Sequence, residues 1–128
     1  METVPVKKLQ AYAFGLQKEE EARRWFEERH GGICLAFRDR WKGGEIDLIF
    51  EVGSELVFVE VRARTGEGFS GAVGSLGPAK LRRISRSVTR FLSRYRGAAR
   101  TVRFDVLAWE ANRWIHLKNL WPLPAAGR

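Results

Sequence analysis

Apolar and polar residues alternate along two runs of the chain, 45–51 and 56–64, separated by Gly53-Ser54. Period-two alternation predicts strands, and a glycine-led pair between two such runs predicts a hairpin with a two-residue turn. Upstream, residues 7–30 read as a helix that starts at Leu9 or after Gly15. Gly15, Glu19, Ala22 and Phe26 share one face at i, i+4, i+7, i+11 spacing, and Gly31-Gly32 ends the helix. A first strand is predicted from Ile33 to Arg38, followed by a turn at Lys42-Gly43-Gly44. Residues 66–78 form a glycine-rich loop, and Pro78 opens a second helix running to about Tyr95, with Gly97 behind it. Leu81, Ile84, Val88, Phe91, Leu92 and Tyr95 make its apolar stripe. Residues 101–109 and 114–120 predict two more strands around a turn at Ala111-Asn112. The order is α-β-β-β-α-β-β, which implies an α/β fold with a mixed sheet flanked by helices. One domain of 128 residues is expected, with 1–8 and 122–128 as frayed tails.

The hairpin register raises a chemical question. With Gly53-Ser54 as the turn, residues whose numbers sum to 107 lie opposite each other, so Asp47 faces Glu60 and Glu45 faces Arg62. Ile46, Leu48, Phe50, Val57, Val59 and Val61 are expected on the other face as core. Like charges directly across a ladder repel, and burial worsens this by removing water. Two arrangements offset the repulsion. A divalent cation such as Mg²⁺ would take the two carboxylates with water and phosphate oxygens. Alternatively, Arg62 would knit Glu45 and Asp47 into a surface salt-bridge lattice. Glu19, an acid on the core face of the first helix, is positioned to join the cluster.

Charge adds a partner to this picture. The net charge is +8 with a pI near 10.4, and 17 of the 23 basic residues are arginine. An excess of this size suits a polyanion, DNA or RNA, over a neutral ligand. From Lys80 to Arg103 there is no acid, and Arg82, Arg86, Arg90 and Arg94 recur every fourth residue, opposite the stripe. They are read as phosphate-contacting residues that position nucleic acid without reading its sequence. No apolar run approaches the ~18 residues of a membrane span, so no membrane partner is expected. A single cysteine and the lack of a leader-like N-terminus fit the cytoplasm.

Other features carry less. Gly66, Gly68 and Gly71 spell G-x-G-x-x-G, but the helix begins only at Pro78 and no acid follows at the ribose-binding distance. His30, His116 and Cys34 lack zinc spacing. Asp105 is expected to pair with an arginine, and His116 to be structural. Trp41 is a packing residue or a platform for a base.

The segments GEIDLI and VFVEVR, an upstream Glu-x-x-Ala helix and RFDVL downstream together resemble the YraN-like bacterial proteins, over roughly residues 10–118. These are similar to restriction-endonuclease-like nucleases, near the Holliday-junction resolvases. The resemblance implies a restriction-endonuclease-like sheet and Mg²⁺- or Mn²⁺-dependent endonuclease chemistry, hydrolysing phosphodiester bonds in DNA, including branched or structured DNA. It implies Asp47, Glu60 and the Val61 carbonyl as metal ligands, and Glu19 as the helix glutamate near the metal. The position that holds lysine in the superfamily holds Arg62, which cannot act as a base. Lys80, at the start of the following helix, is the candidate replacement. A homodimer is implied by symmetric cleavage of two strands. The competing expectation is a nucleic-acid-binding scaffold that keeps the fold without the activity.

Overall fold

The computed structural model describes residues 5–63 and 76–120. Two helices, α1 (Val6–His30) and α2 (Pro78–Arg94), cover opposite faces of a five-stranded sheet of β1 (Ile33–Trp41), β2 (Gly44–Val52), β3 (Glu55–Ala63), β4 (Thr101–Glu110) and β5 (Arg113–Leu117). The chain order is α1-β1-β2-β3-α2-β4-β5, and the spatial order of the strands is the same as their order in sequence. All neighbours are antiparallel except β3 and β4, which run parallel and therefore need a crossover, supplied by α2. The sheet is mixed, as the pattern predicted.

Both faces of the central strands are buried, because each has its own helix. Ala22 and Phe26 of α1 pack on Leu48, Phe50, Val57, Val59 and Leu107, with the Phe26 and Phe50 rings stacked 4.2 Å apart. On the opposite face Ile84 and Val88 of α2 pack on Ile46, Ile49, Phe58 and Phe104. The hairpin register agrees with prediction: Leu48 pairs with Val59, Phe50 with Val57 and Val52 with Glu55, and Gly53 takes the positive φ of +57° that the turn requires.

Several boundaries differ from the sequence reading. The first turn of α1 includes Val6, Lys7 and Lys8, which had been assigned to a tail. β1 continues past Arg38 to Trp41, because Asp39, Arg40 and Trp41 pair with Ile46, Glu45 and Gly44. β5 ends at Leu117 rather than at residue 120. Leu92 is exposed, and Ser87 takes a buried place on the inner face of α2. The glycines at 66, 68 and 71 and the expected tail 122–128 lie outside the described residues.

Ile46 faces α2 with Ile49, whereas Leu48 and Phe50 face α1, so the expected grouping of Ile46 with Leu48 is wrong. Alternation breaks at Asp47. Across the ladder Arg38 has a left-handed φ of 58°, and the β1–β2 pairing passes from Phe37↔Leu48 to Asp39↔Ile46 with no pair between. A left-handed residue within a strand is uncommon and re-aims the side chains beside it; the register shift of this ladder lies earlier, between Cys34 and Ala36. The other tight turn carries strain that serves no site. Ala111 and Asn112 both have positive φ, 51° and 57°. Asparagine tolerates that region better than alanine. Ala111→Asn should therefore stabilise the protein by about 0.5–1 kcal/mol, read as a higher urea midpoint at unchanged m-value.

Candidate active site

The crossover builds the site. A helix that follows β3 and returns for a parallel strand must begin near the carboxyl end of β3, where ligands of open α/β sheets bind. That end carries Glu60, Val61 and Arg62, and the first turn of α2 brings Lys80 to it. β2 runs antiparallel to β3, so Asp47, near its start, arrives at the same end. The register places Asp47 opposite Glu60, and both are buried, 5% and 2% exposed.

Asp47 has left the strand ladder. Its Oδ2 accepts a hydrogen bond from the Val61 backbone N–H at 2.8 Å. Glu60 Oε2 lies 3.3 Å from Lys80 Nζ and 3.6 Å from an Arg62 guanidinium nitrogen. Glu60 Oε1 is buried with no hydrogen-bond partner. Burial pushes the Glu60 carboxyl well up, the Asp47 charge pushes it further, and Lys80 and Arg62 oppose both. Burial also raises Asp47, while its interaction with Glu60 and the Val61 N–H hold it down.

Glu19 comes from the α1 side. It pairs with Arg38 Nε at 3.1 Å, across the irregularity in β1. Its pKa rises from 4.5 to about 7, first through burial and then through the Asp47 charge, with Arg38 acting against them. For all three acids the folded pKa lies above the unfolded one. Their contribution to stability is whole below the ordinary carboxylate range and is lost as pH rises, for Glu19 between 4.5 and about 7.

Glu19, Asp47, Glu60, Arg62 and Lys80 thus converge at one end of the sheet. The salt-bridge lattice does not form as expected: Glu45 pairs with Arg40 at 2.7 Å, and Arg62 turns to Glu60. The four α2 arginines do not make one uniform face. Arg90 and Arg94 lie 3.9 Å from Asp39 of β1, while Arg82 and Arg86 stand in solvent. Trp41 is a packing residue. Its Nε1 donates to Ser87 Oγ at 2.7 Å, and the Arg90 guanidinium lies 5.4 Å from its ring. Two participants escaped the sequence reading. Arg38 gave no signal, because its role follows from a left-handed backbone conformation that its sequence does not announce. Lys18 sits buried on the inner side of α1, with Nζ 3.7 Å from the Trp109 ring and paired to Glu21 at 2.7 Å. An i, i+4, i+7 face drawn one residue away could not show it.

The donor set fits a hard divalent cation. Two buried carboxylates, one with an unpartnered oxygen, present oxygen ligands that carry more repulsion than Lys80 and Arg62 remove. No three His, Cys, Asp or Glu side chains among the described residues form a preformed cage. Further ligands would have to be backbone oxygen, water or substrate, which suits Mg²⁺ better than zinc.

A model of the uncharacterised protein family UPF0102 matches residues 18–109, a span that includes every residue of the site. The chain is 45% identical over 86 residues to a UPF0102 protein of Alkalilimnicola ehrlichii, covering 66% of this chain and 68% of that one. It is 45% identical over 98 residues to one from Bordetella avium, covering 76% and 68%. A UPF0102 protein of Herminiimonas arsenicoxydans is 42% identical over 106 residues, covering 82% and 83%. No described helix is long and apolar enough to cross a membrane.

Proposed function

We propose that this chain, which belongs to the UPF0102 (YraN) family, is a divalent-metal-dependent nuclease that hydrolyses phosphodiester bonds in DNA. The observation that carries the reading is the buried Asp47/Glu60 pair, with Glu60 Oε1 unpartnered and Lys80 and Arg62 at its other oxygen. Asp47 and Glu60 would hold Mg²⁺ or Mn²⁺, with the Val61 carbonyl as a further ligand. When bound, the cation supplies Lewis-acid activation of water and neutralises charge at the phosphodiester. The chain's own residues do the rest. The Val61 N–H fixes the Asp47 carboxylate, so its rotamer is set before substrate arrives. Lys80 lowers the cost of ionising Glu60 and offers ammonium protons toward the phosphate oxygens. Arg62 acts as a donor fork, not a base. Arg82 and Arg86, the solvent-facing arginines of α2, would take flanking phosphates, with Arg90 and Arg94 at the β1 side. Branched DNA as substrate and a homodimer as the working form belong to the same proposal, on the resolvase resemblance alone.

A second reading has its own support: Arg62 and Lys80 both neutralise Glu60, so the acids can be held without metal by a non-cleaving DNA-binding scaffold. Purified protein incubated with plasmid, single strands and four-way junctions separates the two. The nuclease cleaves with Mg²⁺ or Mn²⁺, not in EDTA, and not as Asp47→Ala. Tight binding without cleavage under every condition supports the scaffold.

A further inference from the structure

Between the tip of the β1–β2 hairpin and the first turns of α2 lies an open cleft of about 360 Å³, with Arg40, Trp41, Glu45, Lys80, Arg83 and Ile84 among its walls. Its walls are preset. Gly44 lets the hairpin approach α2: a Cβ there would meet Ser87 Oγ at 3.0 Å, and its φ of +156° is one side chains avoid. Ser87 Oγ in turn accepts from Trp41 Nε1 and donates to the Arg83 carbonyl at 3.0 Å, which fixes the indole against the helix. Three cations face one acid, and that acid, Glu45, is already paired with Arg40. The Arg83 guanidinium is exposed and has no ion-pair or hydrogen-bond partner among the described residues. Lys80 belongs both to this cleft and to the Glu60 ion pair, so it borders the cleft on the side of the carboxylates.

We infer that this cleft receives one unpaired nucleotide of a nucleic-acid strand, its phosphate held by Arg83, while the adjoining phosphate lies at the Asp47/Glu60 pair. The inference rests on the nuclease reading for the identity of that second site. Lys80 and Arg83 are one helical turn apart, about 5–6 Å between Cβ atoms, which is the scale of the step between successive phosphates. The volume is at the small end for ligand pockets. That volume suits a single nucleotide against Trp41 and Ile84 better than a base pair. The preferred substrate is then a strand unpaired beside the scissile bond, as in a single strand, a flap or the crossing strand of a branch. Continuous duplex is disfavoured.

The test measures binding of full-length protein in EDTA to a short labelled single strand and to the blunt duplex of the same sequence, by anisotropy at several salt concentrations. The single strand should bind more tightly. Arg83→Ala should weaken it by about tenfold and reduce the log-affinity versus log-salt slope by roughly 0.7, one phosphate contact on a single strand. Arg83→Lys should restore part of both, and the Mn²⁺-induced rise in melting temperature should stay at the wild-type value in each variant. The proposal is overturned if Arg83→Ala keeps wild-type affinity and slope, or if the duplex binds as tightly and weakens equally. Absence of any Mn²⁺ response in the wild type, with the Arg83 result as expected, would sink the metal-site reading and leave the cleft standing.

Discussion

Lys80→Ala should lower metal-dependent cleavage by about 10²–10³-fold, the loss typical of removing one charged donor from a preorganised site. The deficit should be larger at pH 7 than at pH 9. Lys80 Nζ, 3.3 Å from Glu60, opposes the burial and the Asp47 charge that raise the Glu60 pKa. Without it that pKa climbs further, fewer molecules hold an ionised pair near neutrality, and activity recovers only as pH rises. A lysine that merely contacted distant phosphate would lower activity equally at every pH. Arg62→Lys gives the complementary result. It puts a smaller ammonium beside Glu60 and should increase cleavage if the arginine limits the chemistry. If Arg62→Lys leaves the rate unchanged while Lys80→Ala lowers it with the pH trend above, the lysine function resides on α2. Wild-type rates in Lys80→Ala would remove that residue from the mechanism.

Asp105→Ala should cost about 3–5 kcal/mol, because it leaves part-buried groups that the carboxylate satisfied, with Arg103 keeping only its pair to Glu55. Asp105 is fully buried. It accepts two hydrogen bonds from Arg103 at 3.0 Å, lies 2.7 Å from His116 Nε2, and takes the Asn119 backbone N–H at 2.9 Å. Burial alone would raise its pKa, but the His116, Arg103 and Asn119 bonds outweigh it and hold the carboxyl below the usual aspartate range. The sign is opposite to that of the site acids. Stability from Asp105 is present above the ordinary aspartate pKa and is lost only as pH falls through the lowered folded value. In thermal melts at pH 7 the variant should lose roughly 10–20 °C. A loss within a few degrees would show that β4 and β5 are held together by other contacts.

These two residues mark how the sequence could be read. Asp105 amid apolar neighbours on a strand, with Arg103 two positions back, already indicated a structural pair. Asp47 and Glu60 followed from the turn length alone, because a two-residue hairpin leaves one register in which both faces bury apolar side chains. Order and type of the elements were legible for the same reason. What was not legible depended on long-range geometry. Arg38 takes a left-handed conformation with no glycine to announce it, so neither the switch of Ile46 to the α2 face nor the Glu19–Arg38 pair could be seen. The α2 arginines looked alike at four-residue spacing. Whether one meets Asp39 or solvent is decided by how the helix rests on the sheet. Lys18 was hidden because a lysine on a helix is ordinarily solvated, and the ring that covers it, Trp109, comes from a strand ninety-one positions later.

The central claim is that the Asp47/Glu60 pair binds a divalent cation, and it is tested most directly by thermal melting of the wild type and of Asp47→Asn, with and without millimolar Mn²⁺, at pH 6 and pH 8. Protons and metal compete for the same oxygens, so the two ligands act in opposite directions along the pH axis. Without metal, the wild type should be more stable at pH 6 than at pH 8, because Glu19, raised to about 7, ionises unfavourably in the folded state across this range. With Mn²⁺ that deficit should close at pH 8. A cation at a hundred times its dissociation constant stabilises by about 2.7 kcal/mol. At pH 6 the gain should be smaller. Asp47→Asn should be more stable than the wild type in the absence of metal and should gain little from Mn²⁺ at either pH. A wild-type melting curve that Mn²⁺ leaves unchanged at pH 8, or an Asp47→Asn curve that it raises as much as the wild type, would contradict the account.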